Sequence, residues 1–81
     1  MKVRLLAFAS AADAVGAPES ELELPAGAST AELRDELLRR HPALAALWSR
    51  LALAIDGEIQ RGNPALHDGA EVALLPPVSG G

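Results

Sequence analysis

One segment with the features of a capped helix stands between segments that alternate with the period of a strand, and this order restricts the chain to few folds. Ser29-Thr30-Ala31-Glu32 carries the S-x-x-E pattern of a capping box, in which the serine and the glutamate satisfy amides that the first helical turn leaves without partners. Leu33, Leu37 and Leu38 supply an apolar stripe, Arg39 and Arg40 place positive charge in the last turn, and Pro42 stops the helix. Before it, residues 2–9 read as a strand with Val3, Leu5 and Ala7 on one face and Lys2, Arg4, Leu6 and Phe8 on the other. Residues 20–24 alternate again and close at Pro25, and the small residues between these two strands, with Gly16 and Pro18 as breakers, read as a connection. After the helix, residues 42–50 read as a short second helix or turn in which Trp48 packs rather than binds. Residues 51–55 form a strand, Asp56-Gly57 a tight turn and residues 58–60 a short strand. His67-Asp68-Gly69 turns the chain into a last strand at 71–75, with Val72 and Leu74 inward and Ala73 and Leu75 outward.

Burying one apolar face of each element at once calls for an α+β arrangement with the helix laid across one face of a mixed sheet. The expected fold is therefore a β-grasp with about five strands and one main helix, a body over residues 1–75 and a flexible tail over 76–81. At 81 residues there is room for a single core, and with no cysteine that core must hold by packing alone. The formal net charge of −4, with seven basic residues spread along the chain, argues against a nucleic-acid partner, because phosphate binding calls for clustered Lys and Arg. No apolar run approaches the roughly 20 residues of a membrane span, and the opening Met1-Lys2-Val3-Arg4 lacks the long apolar stretch of a secretory leader. A cytoplasmic address is expected.

The end of the chain, Pro76-Pro77-Val78-Ser79-Gly80-Gly81, is the most informative segment. Two prolines fix φ and cannot donate to a ladder, so the last strand must end and the chain must leave the sheet extended. Two glycines without Cβ atoms can thread a narrow channel in another protein. A Gly-Gly end alone is also what a frayed terminus looks like; it gains meaning beside the β-grasp pattern and the proline spacer. The reactive group at Gly81 would be its carboxylate, which is a poor electrophile until ATP converts it to an acyl-adenylate. A sulfur nucleophile can then displace AMP and leave a thiocarboxylate.

The run from Asp68 to Gly81, DGAEVALLPPVSGG, resembles the D-G-x-E-V-A-aromatic-aromatic-P-P-V-[ST]-G-G ending of the small subunit of molybdopterin synthase, the MoaD family, and the opening strand through Phe8-Ala9 with Val15-Gly16 is similar too. The resemblance implies a sulfur carrier whose Gly81 is adenylated by a ubiquitin-activating-type adenylyltransferase and sulfurated from a sulfur donor protein. The tail from Pro76 through Pro77, Val78, Ser79 and Gly80 would then enter the active site of the large synthase subunit for molybdenum cofactor biosynthesis. It also implies a heterotetramer, with the catalytic residues in the large subunit, so that the chain is no enzyme on its own. Leu74-Leu75 departs from the aromatic pair, and Ala11-Ala12 stands where relatives can carry an arginine, which puts fine contacts with the partner in question.

Strand parity sends Phe8 and Leu75 to the face away from the helix, and Ile59 joins them if the short strand keeps register; an exposed apolar patch of this kind marks a protein interface. No metal site is expected, since His41 and His67 lie far apart without cysteine or paired carboxylate spacing. Asp56, Glu58, Asp68 and Glu71 fall at turns, where they serve the backbone. No phosphate-cradling glycine motif is present, so the chain itself binds no cofactor and any ATP would belong to the activating enzyme. Two other functions share these features: a thiamine-type sulfur carrier, and a ubiquitin-like modifier whose Gly81 becomes linked to lysines.

Overall fold

The computed structural model describes residues 1–77. Alternation in β1 (Lys2–Ala7) buries Val3, Leu5 and Ala7 while Lys2 and Arg4 face solvent. β2 (Glu19–Glu23) pairs with it antiparallel in the register Val3 to Leu22, so Leu22 falls on the same buried face. The last strand, β5 (Glu71–Leu75), lies parallel to β1 and antiparallel to β3 (Ala52–Ile55), and β4 (Glu58–Gln60) closes the far edge. The strand order is β2-β1-β5-β3-β4. β5 therefore sits at the centre of the sheet, with Val72 and Leu74 fully buried beneath α2 (Thr30–Arg40). Leu33 and Leu37 project from α2 onto that face and are equally buried. Each such leucine contributes about 1.5–3 kcal/mol of hydrophobic stabilisation relative to exposure.

The start of α2 is held by more than its own capping box. The Ser29 amide donates to Glu32 Oε1 at 3.4 Å, as expected, but the shorter bonds come from Asn63 on the loop after β4. Asn63 Oδ1 accepts from the Ala31 amide at 2.8 Å and from the Thr30 hydroxyl at 3.2 Å, satisfying a helical amide and a buried side chain together. Bonds from the Thr30 amide to the Pro64 carbonyl (3.1 Å) and from the Leu66 amide to the Ala28 carbonyl (2.8 Å) tie the same loop to the helix. At the other end of α2, Glu36 accepts from Arg39 and from Arg40 Nε (2.8 Å). Hydrogen bonding to these guanidinium groups holds its carboxyl down at about 2.

One segment differs from the sequence reading, and another takes a form that reading allowed. Part of the connection between β1 and β2 is a seven-residue helix, α1 (Ala9–Val15), which buries Ala11 against the core and ends at Gly16 in the left-handed region at φ 89°. ASAADAV offers no large apolar stripe; alanine propensity and the terminal glycine shape it instead. β1 correspondingly stops at Ala7, and Phe8 caps α1. The 42–50 segment is two 3₁₀ turns, Pro42–Ala46 and Trp48–Arg50, with Leu44 buried and Trp48 half-buried against the core. The Asp56-Gly57 turn forms as expected: both residues take positive φ (51° and 86°), which a two-residue type I′ hairpin requires.

That turn is pinned to the start of β5. Asp56 Oδ1 accepts the Glu71 amide at 3.0 Å and Asp56 Oδ2 meets His67 Nε2 at 2.5 Å, while His67 Nδ1 meets the Asp68 carbonyl at 2.9 Å. With both ring nitrogens facing oxygen acceptors, the imidazolium is favoured. The Asp56 hydrogen bond, then the Asp68 carbonyl, raise His67 above its ordinary 6.5, and His67, then the Glu71 amide, lower Asp56 below its ordinary 3.8.

Two outcomes follow from these contacts. Asn63→Ala is expected to lower unfolding free energy by about 1–2 kcal/mol in urea titrations; an unchanged midpoint would show that the Ser29-Glu32 box suffices. The His67 contribution is complete below its ordinary 6.5 and is lost as pH rises through its raised folded value, and the Asp56 contribution is lost as pH falls through its lowered value. The melting-temperature difference between wild type and His67→Gln should therefore peak between these limits and vanish in alkali. A difference independent of pH would refute this ionic contribution.

Candidate functional site

The sheet face opposite α2 is divided by strand parity into a charged half and an apolar half. Across β2 and the start of β1, Arg4 pairs with Glu19 at 2.8 Å and Lys2 with Glu21 at 3.6 Å, all well exposed. Further along the strands the same face turns apolar. Leu6 pairs with Ala73, Ala73 with Ala54, and Ala54 with Ile59, giving one continuous row across four strands. The next row toward the tail holds Leu75 opposite Ala52, with Phe8 one residue beyond the Ala7–Leu74 pair.

Phe8, Ile59 and Leu75, the three residues named from parity, thus lie on a single face. Phe8 is 49% and Ile59 56% exposed, the only large hydrophobic side chains in the exposed class among the described residues, and Leu75 is half-buried. Phe8 is positioned by its backbone: its carbonyl accepts from the Ala11 and Ala12 amides at 3.0 and 3.4 Å, and the following Ala9 takes a positive φ of 49°. A single half-exposed phenylalanine is ordinary, whereas a continuous apolar area beside ion pairs is what protein interfaces bury. Sequence reading missed Ala52 and Ala54 in this face. The signal was present in 51–55, where small residues alternate with Leu53 and Ile55; Ala52 is half-buried and Ala54 buried between their strand neighbours.

The tail begins at the apolar end. Pro76 is half-buried and Pro77 exposed, directly after β5. Val78, Ser79, Gly80 and Gly81, expected to carry the threading tail and its reactive carboxylate, lie outside the described residues. Among the described residues, no group of three or more His, Cys, Asp or Glu side chains is placed to hold a metal ion, and no helix is long and apolar enough to cross a membrane. The described face offers exposed apolar side chains rather than reactive groups, next to the strand that leads into Pro76 and Pro77.

Comparison with known proteins gives this geometry a family. Residues 5–81 match the model of the ThiS family. Over 83 aligned residues the chain is 37% identical to the molybdopterin synthase sulfur carrier subunit of Chlamydomonas reinhardtii, covering all of both sequences. Among solved structures, SAMP1 (small archaeal modifier protein 1) from Haloferax volcanii superposes with a TM-score of 0.88 at 27% identity, again over the full length of both chains. A chain from the protein–protein complex of subunits 1 and 2 of molybdopterin-converting factor from Helicobacter pylori matches over the whole of both chains with a TM-score of 0.73 at 26% identity. The five-stranded mixed sheet with its covering helix is thus a β-grasp fold, and the chain belongs to the ThiS family, among the molybdopterin synthase sulfur carrier subunits.

Proposed function

We propose that the chain is the sulfur carrier of a molybdopterin synthase, docking through the Phe8, Ile59 and Leu75 face while its 76–81 tail delivers sulfur from Gly81. The observation that carries this reading is the adjacency of the apolar half-face to the strand from which the tail departs. A partner that covers Phe8 and Leu75 is already level with Pro76 and Pro77, so one docking event seats the body and directs the tail. The full-length relationship to carrier subunits, and the two-subunit complex known for the Helicobacter pylori relative, support the large synthase subunit as that partner.

The chemistry at Gly81 follows from its carboxylate. Adenylation by a separate activating enzyme joins the carboxylate to AMP with release of pyrophosphate from ATP; hydrosulfide delivered by a sulfur donor protein then forms a C–S bond as the C–O bond to AMP breaks, and loss of the S–H proton leaves the anion. The resulting thiocarboxylate is carried, not used, by this chain, and the groups that build the dithiolene belong to the large subunit. Pro76 and Pro77 keep the tail extended, which lowers the entropy lost when it enters a channel. A second use has a specific observation behind it: the Haloferax volcanii neighbour is described as a modifier protein, and the same adenylate could pass Gly81 to a lysine amine instead of to sulfur.

Docking and delivery are separable by substitution. Phe8→Ala is expected to weaken binding to the large subunit by about 10- to 100-fold with a nearly unchanged melting temperature, because the ring is half-exposed. Deletion of Gly81 should leave that affinity within a few-fold while abolishing molybdopterin formation in a reconstituted assay. A Phe8→Ala protein that binds normally, or a Gly81 deletion that still supports product, contradicts the corresponding half of the proposal.

A further inference from the structure

The end of the sheet from which the tail departs carries positive charge that the fold does not neutralise. Lys2, Arg4, Arg34, Arg39 and Arg40 each pair with a carboxylate. Arg50 and Arg61 do not pair with one among the described residues, and both are exposed. Their placement is shared. Arg50 ends the second 3₁₀ turn immediately before β3, its amide bonded to the Leu47 carbonyl at 2.9 Å. It lines a concavity of about 110 Å³ with Ser10, Leu47, Leu51 and the two tail prolines, Pro76 and Pro77. Arg61 lies one residue beyond the Leu53–Gln60 pair. Since Leu53 also pairs with Leu74 and Ala52 with Leu75, Arg61 stands at the level of Leu75, two strands across from it.

A partner that closes over Phe8 and Leu75 and takes in the tail must therefore come against both arginines. Bringing a guanidinium into an interface without an anion leaves a desolvated charge, which is costly. The chain as a whole is acidic, with a formal net charge of −4, so general attraction would call for a basic partner. The two arginines reverse that local sign at the tail. We propose that Arg50 and Arg61 are specificity-determining contacts that recognise acidic side chains on the rim of the channel receiving the tail. This rests on the docking reading above and deepens it: the apolar face supplies contact area, and the arginines select, by charge, which channel the tail enters.

The test measures affinity of the full-length chain for the large synthase subunit by calorimetry at low and high salt. Arg50→Glu/Arg61→Glu is expected to weaken binding by about 100-fold or more at low salt. The neutral Arg50→Gln/Arg61→Gln pair, a safer variant for folding, should weaken it less and flatten its salt dependence. Arg39→Glu, in the last turn of the helix that covers the other face of the sheet and beside Leu24 and Pro25, should stay within about twofold of wild type. If both double variants bind like wild type while Phe8→Ala still weakens binding, the arginine proposal is overturned and the docking face stands. If Phe8→Ala also binds normally, or wild type does not bind, the docking reading falls and this proposal with it. Sedimentation gives the remaining outcome: a wild-type dimer that the Glu variants dissociate would assign the arginines to a second copy of this chain and overturn the proposal.

Discussion

The central placement of β5 is the constraint on which the other features depend. A last strand at an edge would leave the tail beside solvent and a ladder half unpaired; here β5 is bonded on both sides, to β1 in parallel and β3 in antiparallel register. One parity of its side chains, Val72 and Leu74, is fully buried beneath α2, and the other, Ala73 and Leu75, lies in the middle of the apolar face. The strand that anchors the core thus also carries the middle of the proposed docking face and leads directly into Pro76 and Pro77. The point at which Pro76 leaves the sheet cannot shift relative to that face without breaking ladder hydrogen bonds and slipping Val72 and Leu74 out of register.

The two ends of the sheet are finished differently. Away from the tail, exposed ion pairs between β1 and β2 and the Asp56, His67 and Glu71 contacts satisfy charges and amides internally. Toward the tail, Phe8 and Ile59 remain exposed and Arg50 and Arg61 form no ion pair among the described residues. Groups left unmatched together at one end of a small domain are the ones a partner is placed to match. Ala9 at positive φ fits the same pattern, since a mildly strained residue holds the turn that presents Phe8.

Most of this was legible where one principle dominates. Period-two alternation gave the buried faces of β1 and β5, the capping box gave the start of α2, and Asp56-Gly57 gave the hairpin. The sequence reading failed where several weak preferences add up. α1 rests on alanines and a terminal glycine, without an apolar stripe to announce it. The second support of α2 comes from Asn63, more than thirty positions away, a tertiary bond that no local pattern contains. Strand order was the other gap: that β5 lies between β1 and β3 follows from pairing energetics, and only this order places Phe8, Leu75 and Ile59 on one continuous face. The Gly80-Gly81 signal was plain in the sequence, and its chemistry is tested in solution.

The most direct measurement is the intact mass of the untagged native protein recovered from its own cells with the activating enzyme present. Sulfur carriage requires a species heavier by about 16 Da, one oxygen exchanged for sulfur, that disappears when Gly81 is deleted. A terminus that stays unmodified while the chain is found linked through Gly81 to lysines of other proteins would contradict it and assign the tail to protein modification.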